Sequence, residues 1–138
     1  MLPGQIRILT LAIIKKDGKV LAQKGHDKNK NEDFFRLLGG GVDFGENSLE
    51  ALKREFKEEL NAEIINCKLV KVLENIFTFN GNQGHEICFV YEADFADQTN
   101  YQRQDFKILD SKDGHTAEWV ELNMENLKNI FPSGCITS

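Results

Sequence analysis

The sequence predicts a single α/β domain over residues 1–138, a mixed β-sheet with a helix against each face. Three observations predict it. Apolar segments run in the order strands, helix, strands, helix. A glycine run leads directly into a capped amphipathic helix. The later half carries a strong strand with apolar residues on both faces, Glu86 to Phe95. A chain of 138 residues is near the usual size of one domain and buries enough apolar surface to fold without disulfides.

Ile6 to Ile14 is rich in Ile and Leu and reads as a buried strand. Lys16-Asp17-Gly18-Lys19 is a hairpin turn, because Asp-Gly accepts positive φ. Val20 to Lys24 returns as a second strand, and the polar stretch His26 to Asp33 reads as an exposed loop. Phe34 to Leu38 is a short strand that leads into a glycine loop, Gly39-Gly40-Gly41. Asn47 is an N-cap with Glu50 three residues on, so a helix starts at Ser48. Leu49, Leu52, Phe56 and Leu60 form its apolar stripe, and Asn61 suits the left-handed position after its last turn.

Glu63 to Phe79 holds two apolar stretches, Ile64-Ile65 and Leu69 to Phe79, followed by the turn cluster Asn80 to Gly84. In the next strand Ile87, Phe89 and Tyr91 share one face, Cys88 and Val90 the other. Phe106 to Leu109 and Ala117 to Leu122 read as short strands. Asn123 caps a final helix to about Ile130, with Pro132 beyond it.

The chemistry concentrates in Arg54-Glu55-Phe56-Lys57-Glu58-Glu59. Residues three and four apart share a helix face, so the carboxylates of Glu55, Glu58 and Glu59 can converge on one point. Like charges this close take up protons or find cations. A hard divalent ion such as Mg²⁺ suits carboxylate oxygens. The glycines before the helix let backbone carbonyls approach a metal or phosphate.

These residues resemble the signature of the Nudix hydrolases: Gly, five residues, Glu, seven residues, then Arg-Glu-apolar-x-Glu-Glu-x-Gly-apolar. Gly40, Glu46, Arg54, Glu55, Phe56, Glu58 and Glu59 fill the matching places, whereas Asn61 replaces the family Gly and Ala62 a larger apolar residue. The resemblance implies an α/β/α sandwich and a nucleotide pyrophosphohydrolase that needs Mg²⁺ or Mn²⁺. Its small-molecule substrate would be a nucleoside diphosphate derivative, with water attacking phosphorus. It implies Glu55, Glu58, Glu59 and the Gly39 carbonyl as metal ligands. Arg54 would orient a glutamate, and Glu46 is the expected partner.

The general base stays open between a helix glutamate and a later acid. Asp110, Asp113 and Glu118 are candidates, and Asp113 is chosen because Gly114 lets its loop turn sharply. Lys24 and Arg36, near the ends of early strands, can meet substrate phosphates, with surface solubility the competing role for both. Phe35, Phe77 and Tyr101 can stack on a base, and His85 and His115 can serve as phosphate ligands or bases; core packing or solvent is the competing role for each. A non-catalytic sensor of nucleotides or sugar phosphates on the same fold is the alternative function. A two-fold homodimer, common in such enzymes, is left open.

Seventeen basic against 22 acidic residues, a net charge of −5, gives no strong nucleic-acid signal. Cys67, Cys88 and Cys135 are too few and too scattered for a zinc pattern or a complete disulfide framework. Cys67 and Cys88 are expected in the core and Cys135 as an exposed thiol. Together with the absence of a signal-peptide pattern or a bilayer-spanning apolar run, this predicts a cytoplasmic, non-membrane protein.

Overall fold

The computed structural model describes residues 4–109 and 115–136. Its elements are β1 (Ile6–Ile13), β2 (Lys15–Lys16), β3 (Lys19–Asp27), β4 (Glu32–Gly41), α1 (Ser48–Leu60), β5 (Ile64–Phe79), β6 (Asn82–Phe95), β7 (Asp105–Lys107), β8 (Thr116–Glu121), α2 (Met124–Leu127) and β9 (Ile130–Phe131). The strands join in the order β5-β6-β1-β4-β3-β8-β7, with β2 on β3 and β9 on β4. The sheet is mixed: β1 runs parallel to β6 and β9 parallel to β4, while the other pairs are antiparallel. This is the predicted α/β architecture.

The Asp17-Gly18 turn takes positive φ at both residues, 47° and 76°, as a tight hairpin requires. The polar segment His26 to Asp33 differs from expectation. It is a second hairpin, in which His26 pairs with Asp33 and Asp27 with Glu32. Its residues are polar because most of them face solvent, and cross-strand pairs replace apolar packing: His26 Nδ1 lies 2.7 Å and Lys24 Nζ 3.5 Å from the Asp33 carboxylate.

Gly39-Gly40-Gly41 is strand rather than loop. These residues stand opposite Leu11, Thr10 and Leu9 of β1. At Gly39 the β1 backbone is so close that a side chain would not fit. The expected pair of apolar stretches after α1 is one 16-residue strand, β5, interrupted by register shifts at Ile65/Lys68 and Leu69/Lys71. The final helix is a single turn that stops at Leu127, because the chain must extend again to pair Ile130 and Phe131 with β4.

α1 forms as its sequence dictates. The Asn47 side chain accepts the Glu50 N–H at 2.8 Å, and Asn61 takes φ 50°, ψ 42° while its N–H donates to the Lys57 carbonyl at 3.0 Å. Leu52, Phe56 and Leu60 pack with Ile64, Tyr91, Ala93 and Phe95. Burying Phe56 alone contributes about 2–3 kcal/mol. Ala62, the small residue after Asn61, is itself buried here. A second cluster fills the other side of β1 and β6, where Leu9, Leu11, Cys88 and Val90 meet Val20, Ala22, Leu37, Ile130 and Cys135. The alternation read in β6 thus serves two cores. Cys135 is buried, not exposed as expected, because the tail after β9 folds back into this cluster. Among the described residues no helix is long and apolar enough to cross a membrane.

Candidate active site

The first turns of α1 and the end of β4 are joined by one side chain. Arg54 donates from Nη2 to Glu46 Oε1 at 2.6 Å and from Nε to Glu46 Oε2 at 3.1 Å, a two-pronged charge-assisted pair. Nη2 also reaches the Gly41 carbonyl at 2.9 Å, and Nη1 reaches Glu55 Oε1 at 2.9 Å and Glu58 Oε2 at 3.3 Å. Glu46 in turn accepts the Asp43 N–H at 2.9 Å, closing the loop before the helix. The Arg54 guanidinium, with help from the Asp43 N–H, holds the Glu46 carboxyl below its ordinary value. Glu46 in return strengthens the charged form of Arg54.

Glu55 and Glu59 face a cleft of about 320 Å³ whose opposite wall includes the Gly39, Gly40 and Gly41 backbone. The two carboxyls are close enough to interact, and Glu59 favours the charged form of Glu55. Burial pushes the Glu55 carboxyl above its ordinary value, and the Arg54 contact only partly offsets this. Glu58 is outside the cleft lining. Arg54 draws it to the exposed side of α1, so the three carboxylates do not meet at one point as the helical spacing allowed. Among the described residues no three His, Cys, Asp or Glu side chains form a metal cluster. The donors that are assembled still fit a hard cation: two neighbouring carboxyls on one cleft, beside glycine backbone.

The remaining expectations divide. Arg36 lines the cleft. Lys24 does not; it is exposed and paired with Asp33. Asp110, Asp113 and Gly114 lie outside the described residues; just before them, the Leu109 N–H donates to the Glu59 carbonyl at 2.8 Å. Glu118 is exposed on β8. His115 Nδ1 lies 2.7 Å from Gln23 Nε2, and Gln23 borders the cleft. His85 is half-buried, with its Nε2 sealed from solvent and, among the described residues, without a hydrogen-bond partner.

A second cavity, about 170 Å³, is walled by Phe34, Phe77, Phe79 and Phe131 and touches Arg36 and Glu86. Of the proposed stacking residues only Phe77 is there. Phe35 packs against the second core, and Tyr101 is stacked on Trp119. Sequence reasoning missed Arg7, Gln23 and Glu86. Two of these carried a readable signal: Arg7 interrupts an apolar strand, and Glu86 falls on the Cys88–Val90 face of β6, which is a core face.

The NUDIX domain model matches residues 5–133. The chain belongs to the Nudix family. It is a Nudix-type pyrophosphohydrolase, an enzyme acting on acid anhydrides. It is 27% identical over 127 residues to the RNA pyrophosphohydrolase of Pelagibacter ubique (strain HTCC1062), covering 87% of this chain and 77% of that protein. The MutT Nudix hydrolase from Burkholderia pseudomallei superposes with a TM-score of 0.62 at 26% identity, over 91% of this chain and 86% of the other. The MutT protein from Bacillus halodurans shares the fold at a TM-score of 0.56 and 20% identity, over 93% and 76% of the two chains. Nudix membership agrees with the Gly40-to-Glu59 spacing and with divalent metal as the family's general requirement.

Proposed function

We propose that this Nudix domain, spanning residues 1–138, hydrolyses a diphosphate linkage in a nucleoside diphosphate joined to a further group, with water attacking phosphorus. The observation that supports it most is the pairing of Glu55 and Glu59 on a cleft walled by glycine backbone. Glu55 and Glu59 would hold Mg²⁺ or Mn²⁺, with the Gly39 carbonyl as a further donor and Glu58 joining when Arg54 releases it. The bound ion supplies neutralisation of the diphosphate oxygens and a more acidic water. Arg54 fixes Glu55 from one side and ties the loop through Glu46, so the acidic edge is set before substrate arrives. Asp113 is our choice for the general base. Arg36 faces the phosphates, with Lys24 an outlying contact, and the aromatic cavity takes the nucleoside by stacking. Three unbridged cysteines accord with a cytoplasmic enzyme.

The test is a panel of nucleoside diphosphate derivatives, nucleoside triphosphates and 5′-phosphorylated RNA, incubated with Mg²⁺ or Mn²⁺ and assayed for mononucleotide and phosphate. RNA is included because the Pelagibacter relative is named for it, although a net charge of −5 disfavours a long polyanion. Metal-dependent turnover of at least one member is the expected result. Tight binding with no turnover of any member would instead favour a sensor. Sedimentation of the same preparation reports whether it dimerises.

A further inference from the structure

Glu86 lines the aromatic cavity beside two arginines that line the carboxylate cleft, and it is only 3% exposed. Its Oε2 lies 3.9 Å from Arg7 Nη1 and 3.7 Å from Arg36 Nη2. Arg7 stands directly opposite Glu86 in the parallel β1–β6 pairing, and Arg36 arrives from β4, the other neighbour of β1. A carboxylate this buried is tolerated only with cationic partners. Both separations exceed a direct hydrogen bond. Among the described residues neither guanidinium is otherwise hydrogen-bonded, so both keep donors for a ligand.

The three charges form the partition between the two spaces. Arg7 borders the carboxylate cleft, Glu86 borders the aromatic cavity, and Arg36 borders both. The cleft therefore has Glu55 and Glu59 among its lining and two guanidiniums elsewhere on its wall. A group held here is anionic and lies next to an aromatic one.

We propose that Glu86 is a positioning residue that holds Arg7 and Arg36 as a two-guanidinium clamp, and that the clamp takes the phosphate nearest the nucleoside. This rests on the hydrolytic reading above. Long arginine side chains lose rotamer freedom when they bind, and a buried counter-charge that fixes them beforehand removes much of that loss. The planar fork of each guanidinium then meets phosphate oxygens two at a time. If Glu86 merely neutralised the arginines, its removal would leave a more positive wall and tighter anion binding. The clamp predicts the opposite sign.

The experiment compares Glu86→Gln, Glu86→Asp, Arg36→Lys and Arg7→Lys with the wild type. Calorimetry measures binding of ADP and of inorganic pyrophosphate, and steady-state kinetics uses whichever panel member is hydrolysed. Glu86→Gln is expected to weaken ADP binding about tenfold or more. KM should rise more than kcat falls, and Glu86→Asp should recover part of the loss. Unchanged or tighter ADP binding in Glu86→Gln overturns the clamp. If Glu86→Gln does not fold, the half-exposed Arg36→Lys and Arg7→Lys replace it, and wild-type ADP affinity in both overturns the clamp equally. Absence of turnover with ADP binding still sensitive to Glu86 would sink the hydrolytic reading and leave the clamp. Turnover with binding insensitive to Glu86 would do the reverse.

Discussion

Gly40 presents its bare Cα to the carboxyl group of Glu55. A methyl group at that position would lie 2.3 Å from Glu55 Cδ and 2.5 and 2.7 Å from its oxygens. The obstacle is the mobile end of a side chain, not backbone. Gly40→Ala is therefore expected to fold, with a melting temperature within a few degrees of wild type, while displacing Glu55 from the cleft. Turnover should fall about tenfold or more. A variant that melts far below wild type would show that Gly40 serves folding instead.

Gly39 gives the opposite outcome. Its φ is 148°, a conformation side chains rarely adopt, and an added methyl would meet the Thr10 carbonyl oxygen at 1.9 Å and Leu11 Cα at 2.9 Å. Here the obstacle is the neighbouring strand. Gly39→Ala should lower stability by at least about 2 kcal/mol, read by urea unfolding.

The charge network around Arg54 predicts a third result. Lysine keeps the charge but has no planar fork to bridge Glu46, Gly41 and Glu55 together. Arg54→Lys should lose about tenfold or more in kcat, with a smaller change in KM, because a metal-holding carboxylate loses its orientation while the substrate contacts remain. Wild-type kcat in this variant would remove Arg54 from the catalytic account.

The buried thiols set a pH limit. Burial pushes Cys88 and Cys135 up to about 11 each, above an ordinary value of 9.0. A raised folded-state value means that the unfolded chain loses its protons first. The stabilisation is complete below pH 9 and is lost as pH climbs towards 11. Melting temperature should fall more steeply between pH 9 and 11 in the wild type than in a Cys88→Ala, Cys135→Ala variant, whose absolute stability is lower from lost packing. Parallel curves would contradict the assignment.

The parts of the fold that local chemistry specifies were legible in the sequence. Asn47, Glu50 and Asn61 mark both ends of α1 through their own hydrogen bonds, and Asp17-Gly18 fixes a turn by its backbone preference. Helical spacing made the glutamates legible, and the resemblance to the Nudix signature made Arg54 and its partner Glu46 legible. What the sequence hid depends on partners distant along the chain. The glycines looked like loop because nothing local reports that β1 lies against them. The hairpin at His26 to Asp33 was masked by cross-strand ion pairs that stand in for apolar alternation. The carboxylates did not all converge, because Arg54 competes for Glu58. Glu86 gained meaning only when β1 and β4 brought Arg7 and Arg36 to it.

The central claim is that Glu55 and Glu59 act together on the cleft. The most direct measurement is kcat of Glu59→Gln at saturating Mg²⁺, on the best substrate found in the panel, beside a melting curve showing that the variant is folded. Loss of one of two charges that stabilise the reacting centre predicts a fall of about a hundredfold or more. A folded Glu59→Gln enzyme with wild-type kcat would contradict the account.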